Sequence, residues 1–199
     1  IDRNTIRNTS SEIRLANLTV NQEVYYSIVN CSLINVSGCV SNAGNIHVIS
    51  LDGEQIWVRM TGEEFENSGI VAINALRSNA ISNFCFNLSG SFLNTGNMYF
   101  GINGSISGSL PFSVTSVNSW SNTGKMIFHA AHGEKARLRI RRYVADDVTN
   151  SISNNGTICL NNTLWPVHTN IEGNGCIAVG MYGQIDLLFS KSTYHISET

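Results

Sequence analysis

The sequence predicts an all-β protein, an elongated antiparallel β-sandwich of immunoglobulin-like or jelly-roll type, and three observations carry that expectation. Only 13% of the 199 residues are charged, while Asn, Ser and Thr make up roughly a third of the chain. Short runs with period-two alternation recur from end to end. No stretch of a dozen residues holds a clean helical period.

The strands follow in order. Alternation marks 13–20 (IRLANLTV), 23–29 (EVYYSIV), 46–51 (IHVISL) and 55–60 (QIWVRM). It resumes at 98–102 (MYFGI), 112–117 (FSVTSV), 125–129 (KMIFH), 136–144 (ARLRIRRYV) and 183–189 (GQIDLLF). Residues 69–74 (GIVAIN) and 175–182 (GCIAVGMY) are more continuously apolar, as strands covered on both faces would be. Between these runs lie LDGE, MTGEE, LNTGN, SNTGK and HGEK, whose Asn, Asp and Gly suit tight β-connections. No internal repeat, Pro-rich linker or charge block is read. One domain is expected over 1–190, with 191–199 beginning a linker to a following domain because SKSTYHISET loses the alternation.

Composition narrows the function. A net charge of −2 and scattered basic residues give no general attraction to nucleic acid. The longest apolar runs are too short to cross a bilayer, so no membrane insertion is expected. The chain opens on IDRNTIRNTSSE with no charged-then-apolar leader, and the expectation is that any signal peptide has been removed. Low charge points to a secreted or surface protein. The eight Asn-x-Ser/Thr sequons, at Asn8, Asn17, Asn30, Asn35, Asn87, Asn103, Asn155 and Asn161, keep a viral or eukaryotic glycoprotein in view.

Five cysteines, Cys31, Cys39, Cys85, Cys159 and Cys176, show no CxxC spacing, which argues for bridges over metal. A Cys159–Cys176 disulfide would close a loop of about 17 residues and stabilise by roughly 3 kcal/mol. Cys31 has Cys39 and Cys85 as alternative partners, and one thiol is left over.

Few residues point to chemistry. HExxH, GxxxxGK[ST] and GxSxG are absent, and Gly173-Asn-Gly175-Cys-Ile-Ala178 precedes a strand where a dinucleotide fingerprint would follow one. No enzyme, cofactor or metal is expected; His129 and His132, three apart on a strand, would face opposite ways. Arg137, Arg139 and Arg141 share one face of a strand and could grip an anion, although a solvated face beside Asp146 and Asp147 explains them as well. Trp120, in the polar run NSWSNTGK, offers a flat ring on which a sugar could stack, or folds back onto the core.

Four segments, SLDGEQIW (50–57), Phe84-Cys85, NSWSN (118–122) and HGEKARLRIRRYV (132–144), resemble pieces of the receptor-binding lectin domains of bacterial chaperone–usher fimbrial tip adhesins. The likeness is greatest to the N-acetylglucosamine-binding branch. It implies non-enzymatic recognition of a host glycan or glycoprotein receptor by a monomeric domain at an extracellular fimbrial tip. Pilin subunits would join through a following domain by donor-strand complementation. It places the sugar between the turn Ala131, His132, Gly133 and the loop Asn74, Arg77, Asn79, where this chain lacks the family's acid. It also favours Cys31 pairing with Cys85. The alternative reading is a structural or receptor-binding domain of a viral or eukaryotic surface glycoprotein.

Overall fold

A computed structural model describes residues 1–9, 11–51, 57–75, 83–103, 112–131, 136–142, 151–187 and 195–198. Among them there is no helix, and strands form three sheets. The all-β expectation therefore holds, but the antiparallel sandwich does not: every pairing is parallel. The chain winds as a solenoid in which each coil lays one strand on each sheet. A strand's neighbours are thus the equivalent strands of the coils before and after it, running the same way.

Nine strands make the first sheet, from Thr5–Asn8 to His195–Glu198; eight make the second, from Ile13–Leu15 to Gln184–Leu187; seven make the third, from Leu18–Val20 to Asn170–Glu172. Register on the first sheet stacks Tyr26, Ile46, Val71, Met98, Met126, Ile158, Ile177 and Ile196 in one column. The intervals are 20, 25, 27, 28, 32, 19 and 19 residues, so the period wanders, which hid the repeat from the sequence. Residues 195–198, assigned from sequence to a linker, supply the ninth strand.

The buried signature of each coil is an Asn-x-Gly at the corner between the third sheet and the first. Asn42, Asn67, Asn94, Asn122 and Asn154 are all buried, and the Nδ2 of each of the first four donates to the Oδ1 of the next at 2.7–2.8 Å. Each Nδ2 also donates to the carbonyl of the glycine two residues on, at Gly44, Gly69, Gly96, Gly124 and Gly156. The ladder thereby satisfies a row of polar groups in the dry interior, where an unpartnered amide would cost about 1–3 kcal/mol, and leaves only its first oxygen, Asn42 Oδ1, without a donor. The glycines stack as closely as the coils allow: a Cβ on Gly124 would lie 2.0 Å from the Gly96 carbonyl oxygen. What looked like hairpin chemistry in LNTGN and SNTGK is this corner, where Gly serves close backbone approach.

Aromatic rings fill the space between the sheets. Phe65 stacks on Phe92 (5.3 Å) and Phe92 on Trp120 (5.0 Å) along the third sheet, while Phe100 stacks on Phe128 (5.0 Å) along the first. Phe86 joins the sheets, 5.3 Å from Phe65 and 5.8 Å from Phe100. Such pairs add to the burial of their large apolar area.

Candidate functional site

With the core filled, function falls to the outer faces and corners. The corner where the first sheet passes to the second, near the C-terminal coils, holds a cleft of about 480 Å³ lined by His129, Ala130, Ala131, Asn161, Asn162, Met181 and Tyr182. Strands Lys125–Ala130 and Thr157–Asn161 run side by side with His129 in register with Asn161, both half-buried and facing out.

Backbone bonds fix the corner. Ala131 N–H donates to the Ile102 carbonyl at 2.7 Å, and Asn162 N–H to the Met181 carbonyl at 2.9 Å. Asn162 is left-handed (φ 48°), a conformation Asn tolerates, and its Nδ2 donates to the Ala131 carbonyl. Beyond it, Gly180 N–H reaches the Leu160 carbonyl and Gly183 N–H the Gly180 carbonyl, each at 2.9 Å, closing a turn that carries Tyr182 at φ 56°. That turn presents Met181 and Tyr182 at the rim, 70% and 59% exposed. An exposed ring beside amides, an imidazole and a flexible thioether can pack on a flat apolar face while the amides hydrogen-bond to hydroxyls.

The structure brings part of the sequence-derived site to this cleft. Ala131 lines it. Asn74 lies in the same outward row, in register with Gly101, which is in register with His129, about 10 Å away at ordinary strand spacing. The Asn74 amide lies over Gly101, where a Cβ would sit 2.3 Å from its Oδ1. Arg77, Asn79, His132 and Gly133 lie outside the described residues, as do Asp146 and Asp147. Trp120 is not at a surface: it is 2% exposed and stacked on Phe92, because position 120 falls on the inward phase of strand Ser119–Asn122.

The expected disulfides are not formed; all five cysteines are free thiols. Cys159 and Cys176 lie on neighbouring strands, but Cys159 is in register with Ala178 and Cys176 with Thr157. That two-residue offset puts their Cα atoms about 8 Å apart, beyond the reach of a bridge. Cys31 is buried, its Sγ donating to the Ser11 and Leu33 carbonyls at 2.8 and 3.1 Å. Cys85, two strands along the second sheet, is in register with Arg59, and Arg59 with Asn35, four residues past Cys31. Burial pushes the thiols of Cys31, Cys85 and Cys159 upward, against which the Ser113 hydroxyl and the Arg59 and Arg139 guanidiniums pull Cys85 down and Lys125 pulls Cys159 down. Among the described residues, no three His, Cys, Asp or Glu converge as metal ligands would. No described helix is long and apolar enough to cross a membrane.

Comparison with known proteins places this geometry. No solved structure matches the chain. Cell wall protein RBR3 of Candida albicans is 32% identical over 88% of the chain, and hyphally regulated cell wall protein 3 of the same organism is 28% identical over 89%. Hyphally regulated cell wall protein 4 is 26% identical over the whole chain. The chain spans only 11% to 24% of the length of the curated relatives it matches. These relatives are named as fungal cell wall proteins, and none is named as an enzyme. A cell-surface setting fits them; a fimbrial tip does not. The likeness to bacterial chaperone–usher adhesins is therefore corrected, and the pilin partner loses its basis with it. The described part of the longest segment in that likeness is the single strand Ala136–Arg142, and such alternation a parallel coil generates as readily as a sandwich. The family model described as the N-terminal part of hyphally regulated cell wall proteins matches residues 1–199, and the chain belongs to that family.

Proposed function

We propose that this domain is a non-enzymatic receptor-binding module displayed at a fungal cell surface, with the corner cleft at Tyr182 as its recognition site and a neutral glycan as its ligand. The observation that carries the reading is the exposed Met181–Tyr182 pair standing over His129 and Asn161 on a hydrogen-bonded corner. Among the described residues Tyr182 is the most exposed aromatic ring, ahead of Tyr25 at 51%. An apolar rim maintained in water on a turn with left-handed backbone is consistent with selection for contact with a partner. The surface-module part of this reading follows the alternative expectation from sequence, a structural or receptor-binding domain of a viral or eukaryotic surface glycoprotein; the glycan part rests on the chemistry of the cleft. A shallow cleft of this kind supports affinities of about −4 kcal/mol, near millimolar, per monosaccharide. Many copies on a wall would multiply that by avidity.

The test is a glycan array probed with the 199-residue chain made without N-glycans, since Asn161 itself heads a sequon. Binding that Tyr182→Ala abolishes while the melting temperature stays within a few degrees supports the cleft. A folded chain that binds no glycan leaves the domain as a structural element of the wall.

A further inference from the structure

Gly101 occupies an outward position of strand Asn97–Ile102, yet it is buried. Two side chains cover it. A Cβ there would lie 2.3 Å from Asn74 Oδ1, 2.8 Å from Tyr99 Cε1 and 3.1 Å from the Tyr99 hydroxyl. The Tyr99 ring therefore leans along its own strand over the glycine, while the Asn74 amide reaches across from the neighbouring strand. Only glycine leaves room for both, as at other places where groups must approach a strand closely. On its other side Gly101 is in register with His129, which lines the corner cleft. Tyr99 and Asn74 are each half-exposed, and neither the Tyr99 hydroxyl nor the Asn74 amide has a hydrogen-bond partner among the described residues.

The surface around this ring carries no charge. Ala72 and Ile127 flank Tyr99 on the neighbouring strands, both half-buried. The row that contains them runs in register from Ile6 to Ser197, and the row through Gly101 runs from Asn8 to Asn161. Neither row holds an Asp, Glu, Lys or Arg. An ionic ligand would give up hydration here and meet no countercharge. A neutral one with an apolar face for the ring and hydroxyls for the amide and imidazole is matched to this surface.

We infer that Tyr99, Asn74 and His129 form a second subsite, continuous with the Tyr182 cleft, and that the ligand of the joined surface is a linear neutral glycan of all-equatorial hexopyranose units, with one unit at the Met181–Tyr182 rim and a further unit over Tyr99. The inference rests on the reading of the Tyr182 corner as a glycan site and extends it from a single sugar to a chain. His129 carries the continuity, since it lines the cleft and also stands in register with Gly101. A pyranose whose substituents are all equatorial turns only C–H groups to either face, which an aromatic ring can cover, and sets its hydroxyls around the edge, where amides and an imidazole can read them.

NMR titration of the 199-residue chain made without N-glycans, with glucose and with its β-1,4-linked hexamer as probes, tests the inference. The parent should bind the hexamer at least about tenfold more tightly than glucose. Tyr99→Ala removes that gain at an unchanged melting temperature and leaves the affinity for glucose as it was. Gly101→Ala does the same with both side chains still present, because its Cβ displaces the ends of two flexible side chains and no backbone atom, and it serves as the test if Tyr99→Ala does not fold. Tyr182→Ala, in contrast, weakens glucose and hexamer alike. Equal affinity of the parent for the two probes, or a Tyr99→Ala chain that keeps the full gain, overturns the subsite and leaves the corner reading standing if Tyr182→Ala still weakens binding. Hexamer binding that Tyr99→Ala abolishes and Tyr182→Ala leaves untouched supports the Tyr99 subsite and overturns the corner. A parent that binds neither probe overturns the assignment to all-equatorial units.

Discussion

Replacing Asn94 with Ala strikes the middle of the interior amide ladder, and the structure sets the size of the effect. Asn94 is fully buried. Its Oδ1 accepts from Asn67 Nδ2 at 2.7 Å, and its Nδ2 donates to Asn122 Oδ1 at 2.7 Å and to the Gly96 carbonyl at 3.2 Å. Alanine removes all three bonds. Asn67 Nδ2 keeps the carbonyls of Gly69 and Asn97, but Asn122 Oδ1 loses the donor it has from Asn94. One orphaned buried acceptor costs about 1–3 kcal/mol and each of the three lost bonds about 0.5–1.5 kcal/mol, giving a destabilisation of about 2.5–7.5 kcal/mol. A domain holds about 5–15 kcal/mol in all. In urea, with slopes of about 1–3 kcal/mol/M, the midpoint should fall by at least about 1 M. Exposed Asn118→Ala serves as the reference, with an expected change within about 0.5 kcal/mol. If the two variants unfold at the same urea concentration, the ladder does not hold the coils and the reasoning fails.

Other expectations follow from the same architecture. Gly124→Ala drives a Cβ to within 2.0 Å of the Gly96 carbonyl oxygen, so it should destabilise by about 3 kcal/mol in the same urea assay, although alanine is ordinarily the milder residue. Phe92→Ala, which removes the ring shared by Phe65 and Trp120, should cost about 3–5 kcal/mol. Burial raises the folded-state pKa of Cys31, Cys85 and Cys159 above the ordinary 9.0 and of Tyr26 and Tyr99 above 10.0. Above those ordinary values the unfolded chain releases protons that the folded chain retains, so melting temperatures should hold below about pH 9 and fall steadily as pH rises further. Peptide maps without reductant should show no Cys159–Cys176 bridge; finding one would mean that the two coils sit in a register shifted by two residues.

Much of the fold was legible in the strand runs, because period-two alternation records which side chains face in, whatever the strand pairs with. Val71, Ile73 and Ala75 are buried on strand Ile70–Ala75, as are Leu138 and Ile140 on Ala136–Arg142. Strand direction was not legible, since alternation is the same for parallel and antiparallel neighbours. The repeat that settles direction was present as Asn42-Ala-Gly44, Asn67-Ser-Gly69, Asn94-Thr-Gly96, Asn122-Thr-Gly124 and Asn154-Asn-Gly156. Its spacing grows from 25 to 32 residues, and Asn-Gly chemistry at a turn points first to a hairpin.

The proposed cleft overlaps little with the residues expected from sequence. Ala131 and Asn74 came from a likeness to the wrong family, yet one lines the cleft and the other lies in the row leading to it. Asn161, Met181 and Tyr182 were missed because stacked coils bring together positions 30 to 50 residues from Ala131. The run 175–182 also read as one buried strand, whereas the strand ends at Val179 and Gly180 and Gly183 turn the chain outward. Trp120 misled because its neighbours Ser119 and Ser121 face out while the ring faces in.

The central claim, recognition at the Tyr182 corner, is tested most directly by NMR titration of the chain with whichever oligosaccharide the array retains. The account predicts that the Met181 methyl and Tyr182 ring resonances shift first and saturate together, with the His129 and Asn161 side chains following, and that Tyr182→Ala removes the shifts. Saturable shifts on another face, with Met181 and Tyr182 unmoved, would contradict it.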